Sequence, residues 1–421
     1  MAPHLNGPRV LIINHADVGG GAAIAGYRLH EALLQAGIAS SMLVGTKGSH
    51  DETVAQLRAW RTVRRPLGAI TKRLGLNELD GIGAYSVSRR QDFRSCDVVH
   101  YHAIHGSYFS YPVMPSLTKA KPAVISLHDM WPLTGHCSFS FECDRWRAGC
   151  GRCPHPEAFP SIRRDATAIE WRLKDRLWDA SRMTVISPSA WLADMARESM
   201  LGRFEVEVIP HGIDTETFAP VDRSAARAAL RLPPEGPVIM FAAASVTDKR
   251  KGADLVPGVL DRLPARTRRR CVVVLMGDRG PELGDTLRAA GYRVADFGYV
   301  ASDNLKAALY SAADVFVLPT RADNSPLVVL ESLACGTVVV AFAVGGVGEL
   351  VRHDRTGLVA PAGDVEGLAL CLSAVIDDAG LRSRLGDSAR EMVLAEFTYK
   401  LAAERHRRLY DRVIGLRGNP H

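Results

Sequence analysis

Short apolar runs, each the length of one strand, recur along this chain with stretches of helical spacing between them. The first is RVLIIN at residues 9–14. The glycine run Gly19-Gly20-Gly21 follows, and then AAIAGYRLHEALL at 22–34, where apolar residues recur at helical spacing until Gly37. Strand, glycine turn and helix form the opening unit of a parallel sheet, because a parallel crossover needs a helix and a strand covered on both faces reads as continuously apolar. DVVHYH (97–102), AVISLH (123–128), MTVIS (183–187) and VEVIP (206–210) continue the series. The pattern breaks at residues 211–236, a polar stretch with Pro220, Pro233 and Pro234 that reads as a connection between domains. It then resumes with PVIMFAAAS (237–245), CVVVLMGD (271–278), RVADFG (293–298), VFVLP (315–319) and TVVVAF (337–342).

The expectation is therefore an α/β protein of two doubly wound, Rossmann-like halves facing a cleft. Length agrees, since 421 residues exceed what one core serves and suit two domains of roughly 200 residues each. The final stretch, YKLAAERHRRLYDRVIGL, reads as an amphipathic helix with a basic face. No secretory core is legible in the apolar run Val10 to Ile13, and no run of about 18 apolar residues could span a bilayer. A cytoplasmic chain with reduced thiols is expected.

The glycine loop departs from the dinucleotide fingerprint. Gly19-x-Gly21 is followed by Ile24 where a third glycine is needed, and no phosphate-loop lysine motif occurs. The loop can still bring backbone N–H groups and a helix N-terminus towards an anion or a sugar, or serve only as a tight turn.

The most informative segment is PTRADNSPLVVLESLACGTVVVAFAVGGVGELV, residues 319–351. A strand ends at Pro319 and SPLVVLESLA opens a helix, with Asp323 in the loop and Glu331 eight positions on. Amides of Ser325, Leu327 and Val328 can point at a phosphate from that helix N-terminus. An ionised carboxylate further along can accept from two neighbouring ribose hydroxyls.

This acid-x(7)-acid pattern with its CGTVVVAFAVGGVGELV continuation resembles the retaining nucleotide-sugar glycosyltransferases of the GT-B fold, fourth family. IPHGIDTETF (209–218), RKGADL (250–255) and YSAADVFVLP (310–319) extend the likeness over nearly the whole chain. HDMWPLTGHC (128–137) with its trailing cysteines is similar to bacterial exopolysaccharide enzymes of the colanic-acid type. The resemblance implies an acceptor-side domain at 1–213, a nucleotide-sugar-binding domain at 214–397, and a C-terminal helix at 398–421 that returns to the first domain. It implies that Glu331 holds the donor ribose, Asp323 touches the transferred sugar and Lys251 neutralises the leaving diphosphate. His128 would sit beside the sugar, with Gly19 and Gly20 lining the cleft. The acid at 323 is Asp where many members have Glu, which shortens its reach. Ser245 stands where many place a phosphate-binding Arg, so Arg250 would share that work with Lys251. No Asp has another two positions away, which favours transfer without a catalytic metal. The implied acceptor is a hydroxyl of a glycan or polyprenyl-linked molecule, in polysaccharide assembly. Two rivals are a GT-B nucleotide-sugar epimerase and a degenerate scaffold that only binds.

Four cysteines, Cys137, Cys143, Cys150 and Cys153, lie within the 136–154 loop as C-x5-C-x6-C-x2-C. Four thiolates in reducing cytosol make structural zinc the leading reading, folding a loop with little apolar material of its own. Free thiols, disulfides or an iron–sulfur cluster stay open. Asp129 reads as a turn cap, and Cys96, Cys271, Cys335 and Cys371 as core residues.

The net charge of +6 is modest, and its bunching matters more. Arg58, Arg61, Arg64, Arg65, Lys72 and Arg73 occupy a stretch without an acid, interleaved with Trp60, Val63, Leu67 and Ile70. It reads either as a solvated face or as a peripheral contact with anionic lipid at the inner face of the cell membrane. Nothing resembles a nucleic-acid recognition motif.

Overall fold

The computed structural model describes residues 7–58, 61–245, 248–278 and 280–418. The chain forms two compact units, one of residues 1–212 with 400–421 and the other of residues 213–399.

The first unit holds a seven-stranded sheet in the order β3-β2-β1-β4-β5-β6-β7. Its strands are β1 (Val10–Ala16), β2 (Ser40–Thr46), β3 (Val54–Gln56), β4 (Val98–Tyr101), β5 (Ala123–Ser126), β6 (Thr184–Ser187) and β7 (Val206–Val208). Every pairing is parallel. The order reverses between β1 and β4, the kind of point where open α/β sheets leave a crevice beyond the strand ends. β2 and β3 were not legible, since β2 opens on two serines and β3 is only three residues long.

The second unit holds a six-stranded parallel sheet, β10-β9-β8-β11-β12-β13. Its strands are β8 (Val238–Ser245), β9 (Val272–Asp278), β10 (Arg293–Asp296), β11 (Val315–Leu318), β12 (Val338–Phe342) and β13 (Gly357–Ala360). Side chains alternate between two cores, as strand geometry requires. Val238, Met240 and Ala242 join Phe316, Leu318, Val339 and Ala341 on one face. Ile239, Phe241 and Ala243 join Val315, Val317, Val338 and Val340 on the other. Both faces are covered, so the strands are apolar throughout, as their sequences imply. The stretch read as a connection carries structure of its own. Ile213 and Phe218 are fully buried in one of these cores, and Arg223–Ala229 is a helix capped by the Asp222 carboxylate.

The two-sheet α/β fold thus matches its expectation. The Tyr399–Gly418 helix belongs, from Lys400 on, to the first unit. There the Tyr410 hydroxyl lies 2.7 Å from His100 Nδ1, and His100 Nε2 lies 2.7 Å from Ser126 Oγ. Among the described residues, no helix is long and apolar enough to cross a membrane.

Candidate active site

In the second unit, β11 delivers the chain into the loop carrying Asp323, and Pro326 opens the Leu327–Ala334 helix. Leu327 and Val328 are its first two residues, whose N–H groups no preceding turn can accept, and Ser325 lies just before them. Asp323 is buried, with its carboxylate Oδ2 2.5 Å from Lys251 Nζ and 3.5 Å from Arg250 Nη1.

Two glycines make this approach possible. Gly252 closes the Lys249–Lys251 turn at φ +72°, where a Cβ would fall 1.9 Å from the Pro319 carbonyl. Gly345 has φ +54°, and a Cβ there would fall 1.9 Å from the Asp323 carbonyl. Any other residue at either position would push the two segments apart. Arg250 is tied to the same loop, its N–H capped by the Asp248 carboxylate at 3.0 Å and its guanidinium donating to the Ala322 carbonyl at 2.9 Å. Burial lowers the Lys251 pKa, and the neighbouring Arg250 adds to this, while Asp323 pulls it back up. Burial pushes Asp323 up, but Lys251, Arg250 and the Asn324 N–H more than offset it and hold the carboxyl below its ordinary value.

Glu331 is buried on the helix, and the fully buried Tyr310 donates its hydroxyl to Oε2 at 3.1 Å. The helix start, Lys251, Arg250 and two buried carboxylates all belong to the second unit. Such a set can hold phosphate charge and accept from hydroxyls. Ser245 ends β8, and its side chain lies outside the described residues.

In the first unit, Gly19 and Gly20 have φ +82° and +84°, and Gly20 caps the Gly21–Gln35 helix. Among the described residues no atom within 4 Å would meet a Cβ at either, so the left-handed backbone is what calls for glycine there. His128 follows β5, with its Nε2 2.9 Å from His102 Nδ1 and its ring stacked on His211 at 5.6 Å. Burial, then His102 and His211, keep His128 well below the ordinary histidine pKa. Asp129 caps the following turn, accepting from the Trp131 N–H at 2.9 Å, and also meets His105 Nε2 at 3.0 Å. Burial would lower His105, but Asp129 outweighs it and raises the imidazole above its ordinary pKa. His15 is pushed down to about 4, mainly by burial and then by His105. Sequence reading singled out His128 alone. The signal for its partners was the H-x-H-x-x-H spacing of His100, His102 and His105, with His211 in the IPHGID motif.

Structural zinc in the four-cysteine loop is not shown. Among the described residues, no group of three His, Cys, Asp or Glu side chains is placed to hold a metal ion, and all eight cysteines are free thiols. Cys150 Sγ accepts from the Gly135 N–H at 3.2 Å, and Cys153 Sγ faces His136 Nε2 at 3.2 Å. Buried apolar side chains support this region. Trp131, Leu133 and Trp146 are buried, and Lys174 donates to the Trp131 and Thr134 carbonyls at 2.8 and 3.0 Å. Burial raises Cys137 to about 12 and Cys150 to about 11, which favours the protonated thiol. Cys96, Cys271 and Cys335 are buried and Cys371 partly so.

The basic stretch forms the Arg61–Arg73 helix. Arg65, Lys72 and Arg73 are exposed, as are Ile70 and Leu74, whereas Arg64 Nε meets Asp80 at 3.4 Å. Trp60 and the side chains of Arg61 and Val63 lie outside the described residues.

Comparison with known proteins now adds to this geometry. Residues 19–217 match the family model Glycosyltransferase Family 4, and residues 236–378 match Glycosyl transferases group 1. A D-inositol 3-phosphate glycosyltransferase of Salinispora arenicola is 30% identical over 348 residues, 77% of this chain and 71% of that protein. Its namesake in Xylanimonas cellulosilytica is 33% identical over 223 residues, 50% of this chain, which spans only 52% of the relative's length. WcaC of Escherichia coli, a protein assigned to colanic acid biosynthesis as a glycosyl transferase, is 26% identical over 76% of this chain and 80% of its own. Among solved structures, sucrose-phosphate synthase of Thermosynechococcus elongatus superposes with a TM-score of 0.71 at 21% identity, over 97% of this chain and 100% of that one. HepE of Anabaena, solved in complex with UDP, gives 0.67 at 17% identity, over 96% and 100%. Two Rossmann-like parallel-sheet domains with these structural neighbours define the GT-B fold. The chain belongs to the group 1, family 4 glycosyltransferases.

Proposed function

We propose that this protein transfers a sugar, with retention of configuration, from a nucleotide donor to a hydroxyl of a glycan or lipid-linked acceptor. The observation that carries the reading is the Lys251–Asp323 pair, locked by Gly252 and Gly345, beside a helix on which the buried Glu331 follows eight residues later. Lys251, Arg250 and the amides of Ser325, Leu327 and Val328 balance the diphosphate charge that grows as the sugar–oxygen bond breaks, without a catalytic metal. Asp323 accepts from hydroxyls of the transferred sugar, and Glu331 from those of the ribose. In the first unit, His128 is the residue assigned to the sugar, and Gly19 and Gly20 supply open backbone. The acceptor oxygen bonds to the anomeric carbon as the phosphate oxygen leaves, and its proton passes to that phosphate.

HepE binds UDP according to its structure, which supports a uridine nucleotide ahead of a guanosine one. The WcaC likeness supports a polysaccharide acceptor. The exposed basic helix supports peripheral contact with an anionic membrane. Calorimetric titration of UDP, GDP, ADP and dTDP into wild type and Glu331→Ala, without added magnesium, tests the donor site. Binding of one nucleotide that the variant loses is expected. Equal binding by both proteins, or by neither, would move the degenerate-scaffold reading to the front.

A further inference from the structure

We infer that His102 is a positioning residue whose Nδ1–H donates to Nε2 of His128 and so fixes His128 as the Nδ1–H tautomer. The inference rests on the reading of His128 as the residue that meets the transferred sugar. β4 and β5 are adjacent and parallel, with Tyr101 paired to Ile125, and the two histidines lie just beyond that pair. His102 donates its backbone N–H to the Ile13 carbonyl at 2.8 Å, which anchors it to β1 as well. Its ring is walled by the Gly21–Gln35 helix. A Cβ at Gly26 would lie 3.5 Å from His102 Nδ1 and 2.5 Å from Asn14 Nδ2.

The proton can be assigned from what surrounds the ring. His102 Nδ1 has a partner in His128 at 2.9 Å, whereas His102 Nε2 is buried with no hydrogen-bond partner among the described residues. A neutral imidazole carries one N–H. Placing it on Nε2 would bury an unmade donor, the rarer and costlier orphan, whereas placing it on Nδ1 leaves only an unused lone pair. His102 therefore donates and His128 Nε2 accepts, which puts the His128 proton on Nδ1.

Burial and the neighbouring histidines favour a neutral pair. His100 on β4, His406 on the C-terminal helix, His211 after β7 and His15 after β1 all oppose a charge on His102, while burial is the largest cause. His211 and His15 do the same for His128, with Asp129 pulling the other way, and Arg28 helps hold His211 neutral. A neutral His128 with a fixed N–H is a directed donor to a sugar hydroxyl. A charged or freely tautomerising one is not.

The test uses full-length protein carrying 15N-labelled imidazoles, with the His128 signals identified by their loss in His128→Ala. His102→Asn places an amide nitrogen near the former Nδ1, while His102→Leu removes the donor. Two-bond 15N–1H correlations should show His128 as the Nδ1–H tautomer in wild type and His102→Asn, and mixed tautomers in His102→Leu. UDP release from UDP-glucose should fall about tenfold or more in His102→Leu, in kcat more than KM, and recover in His102→Asn. The acid limb of the Leu variant's pH profile should move to higher pH, because a freed Nε2 lone pair takes a proton more readily. An Nε2–H tautomer of His128 in wild type, or wild-type turnover by His102→Leu, overturns the inference. Undiminished turnover by His128→Ala would instead overturn the sugar-contact reading, and the tautomer of His128 would still decide for or against His102.

Discussion

Lys251 Nζ and Asp323 Oδ2 lie 2.5 Å apart where two left-handed glycines pack closely, Gly252 against the Pro319 carbonyl and Gly345 against the Asp323 carbonyl. The pair stores a cation where the proposed donor's diphosphate would need one. Lys251→Ala should leave the fold intact, since Arg250 remains 3.5 Å from the Asp323 carboxylate. Turnover should fall about 100-fold or more, the usual cost of losing one preorganised charge partner. Steady-state kinetics with a circular dichroism control would check this, and a variant as fast as wild type would remove Lys251 from the mechanism. The same pair has a pH signature. The Asp323 carboxyl lies below its ordinary value of 3.8 in the folded state, so its contribution is complete above that value and is lost as pH falls through the folded one. Urea denaturation should show the gap between wild type and Asp323→Asn narrowing only below that pH.

Tyr310→Phe separates a structural from a binding role for Glu331. The Tyr310 hydroxyl donates to Glu331 Oε2 at 3.1 Å, both side chains being buried. A hydrogen bond to a charged group contributes about 1.5–3 kcal/mol, so thermal melting should drop by several degrees. Nucleotide affinity should change less than about tenfold in Tyr310→Phe and roughly 100-fold in Glu331→Ala, which would lose the two proposed contacts to ribose. If Glu331→Ala only lowered the melting point, as Tyr310→Phe does, the acid would be structural.

Sequence carried the sheets because strands buried on both faces leave an unmistakable apolar signature. Val315 to Leu318 and Val338 to Phe342 could hardly be anything else. It failed at β2, β3 and β13, where Ser40, Gln56 and Gly357 dilute the signal and the neighbouring strands supply the order. The Asp323 and Glu331 positions were legible from their spacing along a loop and a helix. The role of Gly252 was not, because its crowding comes from Pro319, 67 residues further along the chain (319 − 252). The same holds for the histidines. His102 and His128 are 26 positions apart and meet only because β4 pairs with β5. The cysteine loop drew attention for the opposite reason. Its spacing was conspicuous, while the burial of Trp131 and Trp146 that supports it depends on Lys174 and on a helix outside the motif.

Lys174 should make stability rise with alkalinity. It is fully buried, donates to two carbonyls and stands 3.6 Å from the Trp131 ring centroid. Burial brings its pKa down from 10.5 to about 8, with Glu170 partly opposing the fall. Between those values the unfolded chain holds a proton that the folded chain has released, so stability contributed by this group increases with pH. In guanidinium denaturation, wild type should gain on Lys174→Met by up to about 3 kcal/mol between pH 7 and pH 10. Parallel curves across that range would mean that Lys174 keeps an ordinary pKa in the folded protein.

The membrane contact proposed for the Arg61–Arg73 helix would rest on two separable attractions. Arg65, Lys72 and Arg73 are exposed without an acid in the helix, and Ile70 and Leu74 are 59% and 44% exposed. Each basic residue near an anionic surface contributes about 1 kcal/mol, so reversing all three to Glu should weaken binding to phosphatidylglycerol vesicles roughly 100-fold or more. That loss should shrink in high salt, because screening removes what the charges supplied. Replacing Ile70 and Leu74 by Ser should cost affinity at every salt concentration, because apolar insertion is not screened. Co-sedimentation with neutral and anionic vesicles separates the two contributions. Equal binding to both vesicle types, or none to either, would leave the helix an ordinary solvated face, and the acceptor would then have to reach the enzyme from solution.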